Sequence, residues 1–99
     1  MSELDSARKI INETDKEMAR LFEQRMQAVK SIAEYKKEHG LPIDDFAREA
    51  EIIGRNSELV SIEALRSYYV DFLKNNIDIS KHYQHRLLDG MVLRVRLLI

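Results

Sequence analysis

The chain has no cysteine, one proline (Pro42) and three glycines (Gly40, Gly54 and Gly90). Without cysteine there are no disulfides, no thiol chemistry and no thiolate metal site, and the composition fits a reducing compartment. So little proline and glycine disfavours a sheet with many turns. With 33% of its residues charged, the chain is expected to form long helices instead. An excess of one charge sign is also missing. Sixteen basic and seventeen acidic residues nearly cancel, so no global field draws the chain to nucleic acid or an anionic membrane, and any cationic site must be local. No apolar run has the length of a signal core or a membrane span, and the start, Met1 to Asp5, is polar and acidic. A soluble cytoplasmic protein is the expectation. Ninety-nine residues make one domain, and a domain this small buries a modest share of its surface unless it associates, so oligomerisation is expected.

Apolar residues recur at helical spacing from Leu4 to about His39: Leu4, Ala7, Ile11, Met18, Leu21, Ala28 and Ile32, with Ile10, Phe22 and Val29 widening the stripe. This predicts one amphipathic helix of about 50 Å, too long for a compact monomer of this size to cover. A second chain is the expected cover. Gly40 and Pro42 supply the stop. Asp44 is placed to cap a second helix from near Asp45, interrupted by Gly54, with Arg55 to Glu58 as late helix or loop. Ser61 is placed to cap a third helix from near Ile62 that carries Leu65, Tyr69, Phe72, Ile79, Tyr83 and Leu87 and ends at Asp89-Gly90. A domain of residues 1–90 is thus followed by an apolar, β-prone tail, 91–99, read as a remnant or the stub of a following domain.

Residues that break the apolar stripes carry the chemistry, because a charge on a core-facing position is costly unless paired. Arg25 occupies the heptad position held elsewhere by Leu4, Ile11, Met18 and Ile32. Lys36 returns to nearly the same angle, making a stripe of Arg25, Val29, Ile32 and Lys36. The two cations are about 16 Å apart at the backbone. They can grip opposite ends of a small dianion, or Arg25 can pair with a buried Glu while Lys36 snorkels. On the second helix Asp45, Arg48, Glu49 and Ile52 share a face, which is either solvated or part of a site. On the third, Ser80 and Gln84 continue the line of Leu73 and Ile77. Polar groups on three otherwise buried faces are the composition of a ligand pocket between helices. Arg8 precedes Arg25 by seventeen residues, about 25 Å along one rod, and can share a ligand with it only from a partner's antiparallel helix. His82 and His85 lack a third ligand at helical spacing, so surface histidines are expected and no metal. His39 sits where a helix end favours a cation.

The run Arg8, Asp15, Arg25, Val29 and Tyr35-Lys36, then Gly40 to Asp45, Arg48-Glu49, and finally Ile77, Ser80 and Gln84, resembles the all-helical (AroQ-class) chorismate mutases. The likeness covers about residues 4–88, without a gap from Arg8 through Glu49. It implies an all-α fold of three helices per chain (long, short, long) in an intertwined homodimeric helical bundle. The implied activity is the rearrangement of chorismate to prephenate in phenylalanine and tyrosine biosynthesis, with no cofactor. By the same resemblance Arg25 and Arg8 of the partner subunit bind the two carboxylates. Lys36 contacts a carboxylate and the ether oxygen, Gln84 the ether oxygen and Glu49 the ring hydroxyl, with Asp45, Arg48 and Ser80 lining the pocket. Catalysis would fall to Lys36, Gln84 and Arg25. Gly54 stands where the family usually has a helix former, and the 91–99 tail has no counterpart. Two other readings compete: an isochorismate-pyruvate lyase on the same fold, and a non-catalytic helical dimerisation or regulatory module.

Overall fold

The computed structural model describes residues 2–98, and the side chains of residues 2–90. Helix α1 spans Glu3–Glu38, α2 Phe46–Ser57 and α3 Arg66–Leu98, with a 3-10 turn at Glu63–Leu65 leading into α3. The chain is all-α in long, short and long helices, with no strand among the described residues. None of these helices, among the described residues, is long and apolar enough to cross a membrane.

Local chemistry sets the ends of α1. Ser2 accepts a hydrogen bond from the Asp5 N–H at 3.1 Å, and Glu3 and Asp5 lie in the first turn while Lys36 and Lys37 lie in the last. Both placements complement the helix dipole. Beyond the C-cap His39, Gly40 takes φ +65°. Its N–H donates to the Lys37 carbonyl at 3.3 Å and the Leu41 N–H donates to the Lys36 carbonyl at 2.8 Å. These are the two bonds of a Schellman stop, which needs a left-handed residue between them.

Three boundaries differ from those expected of the sequence. The cap of α2 is Asp45, which accepts from the Arg48 N–H at 3.1 Å, because the Asp44 carboxylate is drawn away to the Lys81 ammonium at 3.1 Å. Ser61 caps nothing: Ile62 stands at the head of the 3-10 turn without a side-chain bond, and Arg66 Nε donates to the Val60 carbonyl at 2.8 Å. Finally, α3 does not end at Asp89-Gly90 but runs to Leu98, so residues 91–98 are helical rather than extended. Gly90 lacks the positive φ that Gly40 adopts. Without a left-handed residue no stop forms, and the i→i−4 ladder propagates. Gly54 likewise sits inside α2.

The core is small. Among the residues whose side chains are described, Val29 and Ala33 of α1 and Leu73 and Ile77 of α3 are its buried apolar residues. Leu4, Ile10, Ile11, Met18, Leu21 and Phe22, on the remainder of α1, are exposed. The chain measures 63 × 30 × 15 Å with a radius of gyration of 17.8 Å, against about 13 Å for a compact domain of this length.

Among the described residues, one ammonium carries the ion pairs that tie the start of α2 to α3. Lys81 Nζ donates to Glu49 Oε1 at 2.9 Å and to Asp44 Oδ1 at 3.1 Å, and lies 5.2 Å from the centre of the Phe46 ring. The hydrogen bond to Glu49, then that to Asp44, holds the Lys81 ammonium above the ordinary lysine value, against a smaller opposing effect of desolvation.

Two expectations follow from these contacts. Gly40→Ala should destabilise the fold by about 1 kcal/mol through backbone strain alone, since an added Cβ meets nothing within 4 Å; urea unfolding at fixed protein concentration measures it, and an unchanged midpoint would contradict the left-handed stop. The second concerns pH. A group whose folded pKa is raised stabilises fully below its unfolded pKa and loses that contribution as pH climbs through the folded value. The stability difference between the wild type and Lys81→Met should therefore be level from neutral to mildly alkaline pH and shrink only above the ordinary lysine range. A difference that fell steadily from neutral pH upward would contradict the raised ammonium.

Candidate active site

The polar residues of the three helices meet in one cavity of about 250 Å³. That is slightly below the usual range for small-molecule clefts and limits an occupant to a compact molecule of about one ring. Val29 and Ile32 of α1 and Ile77 of α3 form its apolar wall. Arg25 and Lys36 enter from α1, Asp45, Arg48 and Glu49 from the start of α2, and Ser80, Lys81 and Gln84 from α3.

Each cation from α1 is held by a neutral group. Arg25 Nη1 donates to Ser80 Oγ, and Ser80 Oγ in turn donates to the Asn76 carbonyl at 2.8 Å, so the one serine hydroxyl both accepts and donates. Lys36 Nζ donates to the Ile43 carbonyl at 2.9 Å. Among the described residues no carboxylate pairs with either cation. The buried Arg–Glu pair that the sequence left open is therefore not formed. A guanidinium has five N–H donors and an ammonium three, and these contacts leave most of them available.

Carboxylates and amide are arranged differently. Glu49 gives Oε1 to Lys81 at 2.9 Å, while its Oε2 is buried without a partner. Gln84 is only 6% exposed and Ser80 5%, and Gln84 Oε1 also lacks a partner. A half-turn about the terminal torsion exchanges the two ends of that amide, so the same position can offer an N–H donor. Arg48 spends one nitrogen on Glu51 Oε1 at 3.0 Å, on the exposed side of α2. The arrangement can bind an anion with two separated charges, accept one hydroxyl, and present donors to an oxygen between them.

The structure thus brings Arg25, Lys36, Asp45, Arg48, Glu49, Ser80 and Gln84 together. It does not bring Arg8 to them: Arg8 is exposed on α1, about 25 Å along the rod from Arg25. His82 and His85 are exposed, and among the described residues no group of three metal-ligating side chains forms. Two participants escape the sequence reading. Lys81 follows Ser80 and stands four residues after Ile77, on the arc of the same stripe. That spacing was the available signal. The Ile43 carbonyl had none, because every residue has a carbonyl.

Beside the polar cavity, and sharing Arg25 with it, runs a groove of about 490 Å³ between α1 and α3. Met18, Leu21, Phe22, Tyr69 and Phe72 line it, and Arg25 is its one charged residue among the described residues.

Comparison with known proteins places the chain in a family. No solved structure matches the chain. A family model, chorismate mutase type II, matches residues 7–85, a stretch that includes every polar cavity residue and Arg8. The chain belongs to the chorismate mutase type II family, the all-helical isomerases that rearrange chorismate to prephenate.

Proposed function

We propose that the rearrangement takes place in the cavity between α1, α2 and α3, and that two interlocked copies of the chain complete it. The observation that carries this reading is that Arg25 and Lys36 line one small cavity together with two unpartnered buried oxygens, of Glu49 and Gln84, and are paired with no carboxylate among the described residues. Chorismate has two carboxylates, a ring hydroxyl and an ether oxygen between ring and side chain. Arg25 takes one carboxylate, for which its rigid fork is suited. Lys36 reaches a carboxylate and the ether oxygen, Gln84 donates to the same ether oxygen, and Glu49 Oε2 accepts the ring hydroxyl. Asp45, Arg48 and Ser80 line the space around them.

The reaction breaks the ether C–O bond and forms a C–C bond within one molecule, with no proton, electron or group transferred from outside. It requires no cofactor. What the chain supplies is selection of the folded, chair-like substrate by its carboxylate clamps, and donors aimed at an oxygen that gains negative charge as its bond lengthens. Those donors bind the transition state better than the ground state.

In the single chain one carboxylate has Arg25 as its clamp and the other has no arginine of its own. Arg8 is supplied across the dimer: an antiparallel α1 laid into the apolar groove beside Arg25 would cover the exposed face of the long helix and carry Arg8 of the partner subunit to the site. By two-fold symmetry, two equivalent mixed sites result. The absence of cysteine fits work in the reducing cytoplasm.

The direct experiment is ultraviolet loss of chorismate with the purified chain, followed by identification of prephenate; release of pyruvate from isochorismate in a parallel reaction, without prephenate from chorismate, would overturn the mutase reading. Arg25→Ala and Lys36→Ala should each lower kcat/KM by at least about a hundredfold, the scale of losing one transition-state donor. Near-normal turnover in either variant would remove that residue from the site. For the shared site, mixing inactive Arg8→Ala chains with inactive Arg25→Ala chains should restore part of the activity, because some hybrid dimers regain one intact site. No recovery after verified subunit exchange would count against the dimer reading.

A further inference from the structure

We propose that Lys81 is a positioning residue for this reaction: its ammonium holds one oxygen of the Glu49 carboxylate so that the other is presented, unpaired, to the ring hydroxyl of the substrate. The proposal rests on the reading of Glu49 given above and adds a residue to it.

The geometry divides the two oxygens of Glu49 between two tasks. Oε1 accepts from Lys81 Nζ at 2.9 Å. Oε2 is buried and has no partner. A buried acceptor left unmade is costly, and folding alone gives no reason to leave it so. It is intelligible as an acceptor waiting for a donor that arrives with the ligand. No other cavity cation does this work among the described residues: Arg25 is on Ser80, Lys36 on the Ile43 carbonyl, and Arg48 on Glu51. Lys81 is also mostly shielded, its side chain 24% exposed, so its charge acts on Glu49 with less screening than a surface lysine would have.

The charge of the cavity supports the same assignment. Arg25, Lys36, Arg48 and Lys81 line it against the carboxylates of Asp45 and Glu49, an excess of positive charge suited to a dianion. Without Lys81 that excess is halved, and the Glu49 carboxylate faces the incoming dianion uncompensated. Both effects bear on the bound substrate as much as on the transition state, since neither the ring hydroxyl nor the net charge of the substrate changes during the rearrangement. Loss of Lys81 therefore raises KM rather than lowering kcat.

A purely structural clamp makes a different prediction, because Lys81 also holds Asp44 at 3.1 Å, and Asp44 is not among the residues lining the cavity. The experiment is steady-state kinetics with chorismate on the full chain, with helix content checked by circular dichroism. Lys81→Met should raise KM about tenfold or more, the loss of one charged hydrogen bond, with kcat changed by less than about threefold. Lys81→Arg should recover most of the loss. Asp44→Asn should leave KM near the wild-type value. In a Glu49→Gln background, which should itself raise KM, Lys81→Met should add less than about twofold.

If Lys81→Met does not fold, Lys81→Gln, which keeps an N–H donor for α2 and removes the charge, takes its place with the same expected direction. The proposal is overturned, with the Glu49 reading intact, if the Lys81 variant costs as much in the Glu49→Gln background as in the wild type, or if Asp44→Asn reproduces its effect. A Glu49→Gln chain with unchanged KM would overturn both.

Discussion

The length of α1 is the constraint on which the rest depends. Thirty-six residues in one uninterrupted helix make a rod of about 54 Å, and the remaining residues cannot cover it. Only Val29 and Ala33 of that helix are buried in the single chain, while apolar side chains from Leu4 to Phe22 are not. The elongated shape, the apolar groove beside Arg25 and the distance between Arg8 and Arg25 all follow from this one dimension. A rod also fixes spacing. Arg25 and Lys36 are held on one face by the helix itself, with no loop between them to flex.

The covered half of the rod is where chemistry is concentrated, because its partner stripe on α3 changes character along its length. Leu73 and Ile77 pack as core, and Ser80 and Gln84 continue the same line as buried polar groups. Unpartnered buried oxygens on Glu49 and Gln84 cost about 1–3 kcal/mol each by general experience. Helix α2 has no buried residue and is held at the Lys81 ammonium. In the cavity between the helices Arg25 and Lys36 rest on neutral oxygens, of Ser80 and the Ile43 carbonyl. An occupying anion then need not displace a carboxylate from them, a displacement that would oppose binding.

Much of this was legible in the sequence, for physical reasons that can be assigned residue by residue. The 3.6-residue period marked α1 and α3, and Gly40 marked the first stop, because helix periodicity and a left-handed glycine are local properties. Arg25, Ser80 and Gln84 stood out as polar residues on apolar lines. Other features were ambiguous at the local level. Asp44 and Asp45 are equally good caps, Ser61 has the chemistry of a cap and caps nothing, and Gly90 has the composition of a stop without the backbone conformation of one. Lys81 stands four residues after Ile77, but only α2 laid over it supplies the carboxylates it binds.

By itself the sequence determined the all-α class, the order and rough lengths of the helices, and the faces that carry Arg25, Lys36, Glu49, Ser80 and Gln84, since these depend on interactions among residues a few positions apart. Only the tertiary structure decided which aspartate caps α2, that Lys81 binds Asp44 and Glu49, and that Arg25 and Lys36 rest on Ser80 and the Ile43 carbonyl rather than on a carboxylate. The reason is one of range. Lys81 lies 32 positions from Glu49, and Arg25 lies 55 from Ser80. Where several groups of equal chemistry compete for one ammonium or one guanidinium, the outcome is set by which of them the packing of helices brings within hydrogen-bond reach.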